Sequence, residues 1–139
     1  ATNPYVLTFR PGVQVPVVDI LLKGGEEIVP SSDLWTIWTP GHTPGHLCLH
    51  DRKRRLLFSG DHLLPTITPN VSLFPGETGD PLQHFLDAQR NLKDLEVEAV
   101  HPAHGYGFTD LIRRVDEVLD HHRGRTDEIL AQKLKYPLE

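Results

Sequence analysis

Three short segments carry a histidine or an aspartate beside glycine. They are Thr39-Pro40-Gly41-His42-Thr43-Pro44-Gly45-His46, Ser59-Gly60-Asp61-His62 and Val100-His101-Pro102-Ala103-His104-Gly105. Imidazole nitrogen and carboxylate oxygen are the usual donors of catalytic zinc sites. A carboxylate can also bridge two metals about 3.5–4 Å apart. Glycine beside each donor allows close backbone approach and unusual φ. His42, Asp61 and His104 are therefore the candidate metal ligands. The plainer roles are a turn histidine bonded to backbone and an aspartate closing its own turn. His46 opens a strand after a turn and reads as a buried histidine supporting the ligands from behind. His62 either faces substrate or supports the ligands in the same way. His101 reads as structural, and His121 and His122 as residues that pack on a helix or face solvent.

The elements that must position these donors follow from periodicity. Residues 1–16 hold three prolines and little pattern, an irregular lead-in. Val17–Leu22 and Glu27–Val29 read as strands, and so does Leu34–Trp38, whose large residues point to cover on both faces. Trp35 and Trp38 are expected in the core. Leu47–His50 and Arg55–Phe58 make a hairpin across Asp51-Arg52-Lys53. Residues 63–79 are a long, Pro- and Gly-containing loop, a kind of segment that often carries function. Asp80-Pro81 starts a helix as N-cap and first helical residue, with Gln83 completing a capping-box pattern. Leu82, Phe85, Leu86, Leu92 and Leu95 form its apolar stripe. Val97–Val100 is a short strand. Thr109 is expected to cap the last helix, which buries Leu111, Ile112, Val115, Val118, Leu119 and His122 and is weakened at Gly124. The fold class is α/β, helices packed on a sheet.

Together, Gly-His-Thr-Pro-Gly-His, Ser-Gly-Asp and Pro-Ala-His-Gly resemble the second half of the metallo-β-lactamase superfamily. The donors are 19 and then 43 residues apart, in the order that family uses. The resemblance covers residues 17–132 and implies the C-terminal half of an αββα sandwich, one mixed sheet with helices packed on it. It implies that His42 binds a first metal, Asp61 bridges both, and His104 binds the second. It also implies a metal-activated hydroxide attacking an ester, thioester or phosphodiester, with Asp61 as the catalytic carboxylate. Two zinc ions are the expected cofactors, with iron or manganese as alternatives. Helix residues His121-His122-Arg123 resemble the C-terminal helix of the hydroxyacylglutathione-hydrolase-like and small-endoribonuclease-like branches. One departure is large. The family's His-x-His-x-Asp-His motif is missing, and no histidine precedes His42. Residues 17–135 therefore read as a partial domain lacking that half of the site.

Composition narrows the rest. The 139 residues suit one domain, and no apolar run is long enough to span a membrane. A net charge of −5 gives no electrostatic footprint for nucleic acid, and Arg52-Lys53-Arg54-Arg55 reads as a solvated hairpin turn. Cys48, alone, cannot form an internal disulfide, which suits a reducing, cytoplasmic setting; it reads as a small buried apolar side chain. With no methionine present, residue 1 is not expected to be a natural start; the chain is expected to be a fragment or processed product, Leu138-Glu139 a cloning remnant. The expected partner is a small acyl or thioester substrate, ahead of nucleic acid. The rival is a catalytically incomplete metal-binding half-domain that associates with its missing half or a second copy, through the apolar face that half a sandwich exposes. A plain His-rich α/β binding module is the remaining reading.

Overall fold

The computed structural model describes residues 17–73 and 78–135, apart from the Leu134 side chain. The expected lead-in, 1–16, lies outside the described residues. Four strands form one sheet: β1 (Leu34–Trp38), β2 (Leu47–Asp51), β3 (Leu56–Gly60) and β4 (Ala99–Pro102), in the order β1-β2-β3-β4. β1, β2 and β3 are antiparallel neighbours, and β4 lies parallel to β3. Helix α1 (Pro81–Leu92) makes the crossover between β3 and β4, and α2 (Leu111–Lys135) follows. The mixed sheet with two helices is the expected α/β arrangement.

Directly opposed residues on neighbouring strands share a face. Ile37 pairs with Cys48, and His50 with Leu57, which pairs with Val100. Cys48, Leu57 and Val100 meet Phe85 and Leu92 of α1 and Leu111, Val115 and Val118 of α2 in the core. Burial holds the Cys48 thiol well above its usual range, at about 12. The opposite face carries Leu49, Phe58 and His101 in register. Phe58 is 41% exposed there, and His101 stacks on it at 5.5 Å.

Several expectations are corrected. Val17–Leu22 is not a strand, and Val17, Val18, Ile20 and Leu21 are exposed. A β-rich run needs a neighbouring strand, and none pairs with it among the described residues. The strand expected at Glu27–Val29 reduces to a bridge from Glu27 to Trp35. Trp38 is 55% exposed, and Trp35 is half-buried with Arg52 over its ring, so neither belongs to the core. The fourth strand begins at Ala99, two residues later than expected. Leu82 and Ile112 face outward, whereas Ala88 and Gln89 are buried in α1. Asp80 caps α1 by accepting the Gln83 N–H, but the Gln83 side chain turns to Asp87, so the capping box forms by half. Asp110, not Thr109, caps α2: its carboxylate accepts the Arg113 N–H. α2 runs unbroken through Gly124. No helix among the described residues is long and apolar enough to cross a membrane.

Candidate metal centre

β1, β3 and β4 each end in a turn at the same end of the sheet, and the three candidate ligands sit on those turns. Ala103 N–H donates to the Gly60 carbonyl at 2.9 Å, tying the β4 turn to the β3 turn. His104 Nε2 then stands 3.3 Å from Asp61 Oδ1, and His42 Nε2 stands 3.8 Å from Asp61 Oδ2. Each imidazole faces a different oxygen of one carboxylate. Two donors about 2.1 Å from one tetrahedral metal lie about 3.4 Å apart, so each pair has the spacing to share an ion. Among the described residues no three such side chains converge on a single position. An ion held between either pair would need further ligands.

The His42 ring is oriented from behind. Its Nδ1–H donates to the Asn70 carbonyl at 2.8 Å. Nδ1 therefore carries a proton, and Nε2 is the nitrogen aimed toward Asp61. Nothing in the residue pattern marked Asn70, because the acceptor is its backbone.

His46 lies directly behind Asp61. Its Nε2 accepts the Asp61 backbone N–H at 3.1 Å, and its Nδ1 lies 2.8 Å from Thr39 Oγ1. Nε2 is therefore unprotonated, and Nδ1 donates to the threonine. Burial lowers the His46 pKa, the neighbouring His42 lowers it further, and Asp61 opposes both. Gly60 makes this contact possible. It adopts φ +54°, and a Cβ there would lie 2.6 Å from His46 Nε2. Thr39, fully buried, is a supporting residue that the sequence reading missed. Replacing His46 with Ala frees the Asp61 amide and lowers metal affinity by about 10–100-fold, the usual penalty for losing such a partner. Calorimetric zinc titration measures it; an unchanged affinity would remove His46 from the site.

His62 does not face substrate. Its side chain is fully buried, 4.9 Å from the Phe85 ring and 5.8 Å from the His46 ring. Its carbonyl accepts the Gln89 side-chain amide. Neither ring nitrogen has a hydrogen-bond partner among the described residues. Burial, then His46 and His42, pull its pKa down to about 3. A histidine at about 3 when folded and about 6.5 when unfolded binds its proton only in the unfolded state between those values. Stability is therefore full above pH 6.5 and is lost as pH falls toward 3. Between pH 7 and pH 5 this one group removes about 2 kcal/mol from the metal-free protein. Urea unfolding at the two pH values checks this, and His62→Leu flattens the difference. His101 is exposed and stacked on Phe58; His121 and His122 lie in edge contact on α2, as expected of packing residues.

Known proteins resemble this chain in sequence and fold. The sequence profile of the metallo-beta-lactamase superfamily matches residues 2–104. The chain is 33% identical over 107 residues to the "Beta-lactamase-like protein 2 homolog" of Caenorhabditis elegans, covering 77% of this chain and 34% of that protein. The solved metallo-beta-lactamase family protein TTHA1429 from Thermus thermophilus superposes with a TM-score of 0.78 at 32% identity, over 84% of this chain and 39% of that one. TTHA1623, solved in a di-iron-bound form, gives 0.53 at 30% identity, over 72% and 48%. The chain belongs to the metallo-beta-lactamase superfamily. It spans about a third of the length of the curated relative and about two fifths of TTHA1429.

Proposed function

We propose that this chain carries the second half of a metal-dependent hydrolase site, with His42, Asp61 and His104 as its ligands. The observation that supports this is the single Asp61 carboxylate presenting one oxygen to each imidazole, at 3.8 and 3.3 Å. Bound there, divalent metals would lower the pKa of water to make hydroxide and polarise the bond under attack. The chain's own residues provide the setting. Asn70 turns Nε2 of His42 inward, and His46 fixes the Asp61 backbone. Zinc is the first choice of metal; the di-iron form of TTHA1623 supports iron as an alternative, with manganese next. The unbroken α2 with His121-His122-Arg123 supports a place in the hydroxyacylglutathione-hydrolase-like or small-endoribonuclease-like branches.

An acyl or thioester substrate is favoured over a nucleic-acid phosphodiester. The net charge is −5, and the basic run 52–55 sits at the hairpin turn, at the opposite end of the strands from Asp61. Its arginines are also engaged, Arg52 over Trp35, Arg54 with Asp51 and Arg55 with Glu98. The sole cysteine, a buried thiol, favours a cytoplasmic setting.

A second reading is a metal-binding half-domain without turnover, completed by another polypeptide or a second copy. It is favoured by His104, whose side chain is 73% exposed, and by the outward Trp38 and Phe58. Full-length chain loaded with zinc, iron(II) or manganese and offered an acyl thioester, an aryl ester and a phosphodiester separates the two. Thioester turnover above the metal blank supports the hydrolase acting unaided. Stoichiometric metal without turnover, with zinc-dependent dimerisation in sedimentation, supports the second reading. Failure to bind any metal overturns both.

A further inference from the structure

Arg114 lies in the first turns of α2, 10 residues beyond His104 in the chain, and its side chain is only 11% exposed. Its guanidinium forks onto the loop that follows Asp61. Nε donates to the Leu64 carbonyl at 2.7 Å and Nη2 to the Ile67 carbonyl at 3.0 Å. Nη1 meets Glu117 Oε2 at 2.9 Å, which steadies the group from its own helix. The loop over 63–73 belongs to no helix or strand, so ladder hydrogen bonds do not hold it. Three residues beyond the fork, the Asn70 carbonyl accepts the Nδ1–H of His42.

We propose that Arg114 is a positioning residue for the metal centre. It sets the path of residues 64–70, and through the Asn70 carbonyl it fixes the tautomer and ring plane of His42. This rests on the reading of His42 as a ligand. Arginine suits the task because a planar fork can satisfy two carbonyls at once in fixed relative positions, while a lysine ammonium acts as a flexible point donor. Orientation of a ligating histidine by a carbonyl behind it is worth about 10–100-fold in metal affinity, and here the carbonyl is itself held from a helix.

The test uses the full chain as Arg114→Ala and Arg114→Lys. Nitrogen-15 NMR of the histidine rings in metal-free protein reports which His42 nitrogen carries the proton. The parent shows Nδ1 protonated and bonded, and both variants show a tautomer mixture. Zinc affinity falls by about 10–100-fold in Arg114→Ala. The double variant His42→Ala/Arg114→Ala binds no more weakly than His42→Ala, because the arginine acts through that ring. A folded Arg114→Ala that keeps the parent tautomer, or an additive loss in the double variant, overturns the proposal. Should Arg114→Ala fail to fold, Arg114→Lys decides by the same two readouts. If His42→Ala binds zinc like the parent, the ligand reading fails while the tautomer measurement still judges Arg114.

Discussion

Asp61→Ala is expected to abolish metal binding at the proposed site and to keep its fold. Asp61 is the one residue that both candidate pairs share, so its removal strips a donor from each position at once. It also removes the negative charge between two expected dications. The expected loss exceeds the roughly 100-fold that marks the upper end for a supporting partner, and the hydrolysis proposed for the completed site is expected to fall with it. The fold has little to lose. The Asp61 side chain is one-third exposed, and ion pairs at such sites contribute about 0–1 kcal/mol. The backbone N–H to His46 survives the substitution. Metal content after dialysis and calorimetric titration measure the first effect, and urea unfolding of metal-free protein the second. Stoichiometric zinc in Asp61→Ala would remove the bridging carboxylate from the account.

Gly41→Ala is expected to have the largest effect on stability. Gly41 adopts φ +130°, a region that L side chains avoid, and a Cβ there would lie 2.3 Å from Phe85 Cβ and 2.7 Å from its Cα. The obstruction is helix backbone, which cannot swing aside. Backbone strain of about 1–3 kcal/mol adds to about 1–3 kcal/mol of overpacking. Against a typical total of about 5–15 kcal/mol, that leaves a marginal protein. His42 is the next residue, so any shift that relieves the clash also moves a candidate ligand. Gly124→Ala is the contrast. Its Cβ would meet nothing within 4 Å inside α2, so the change stabilises by about 0.5–1 kcal/mol. Urea midpoints for the two variants should move in opposite directions. A Gly41→Ala midpoint equal to the parent's would show that the turn relaxes freely.

What could be read from the residues was whatever side chains announce. Asp80-Pro81 opened α1 where expected, and His42, Asp61 and His104 came together at one end of the sheet; the hairpin formed too, but its turn is residues 52–55, with Asp51 the last residue of β2 and Arg55 outside β3. What could not be read was carried by backbone groups and by neighbours. The acceptor for His42 is the main-chain oxygen of Asn70, and the fork of Arg114 lands on two more carbonyls, none of which leaves a side-chain signature. Thr39 matters only because it sits between His46 and Cys48. Val17–Leu22 has the composition of a strand, but composition cannot supply the neighbour a strand must pair with. Trp38 looked like core because it is large, but strand alternation puts it on the face opposite Ile37 and Cys48, where its indole N–H reaches the Pro44 carbonyl in the turn after β1.

The single thiol makes the molecule its own clock. Cys48 sits on the helix-covered face of β2, fully buried, with its pKa pushed up to about 12. A thiol reagent reaches it only when the helices leave the sheet, and only the thiolate reacts. Its labelling rate therefore counts core openings rather than surface fluctuations. A ligand that binds only the closed form slows that count by a factor of one plus the ratio of free ligand to its Kd. Labelling with and without zinc would thus read metal binding through a sulfur that never touches the metal.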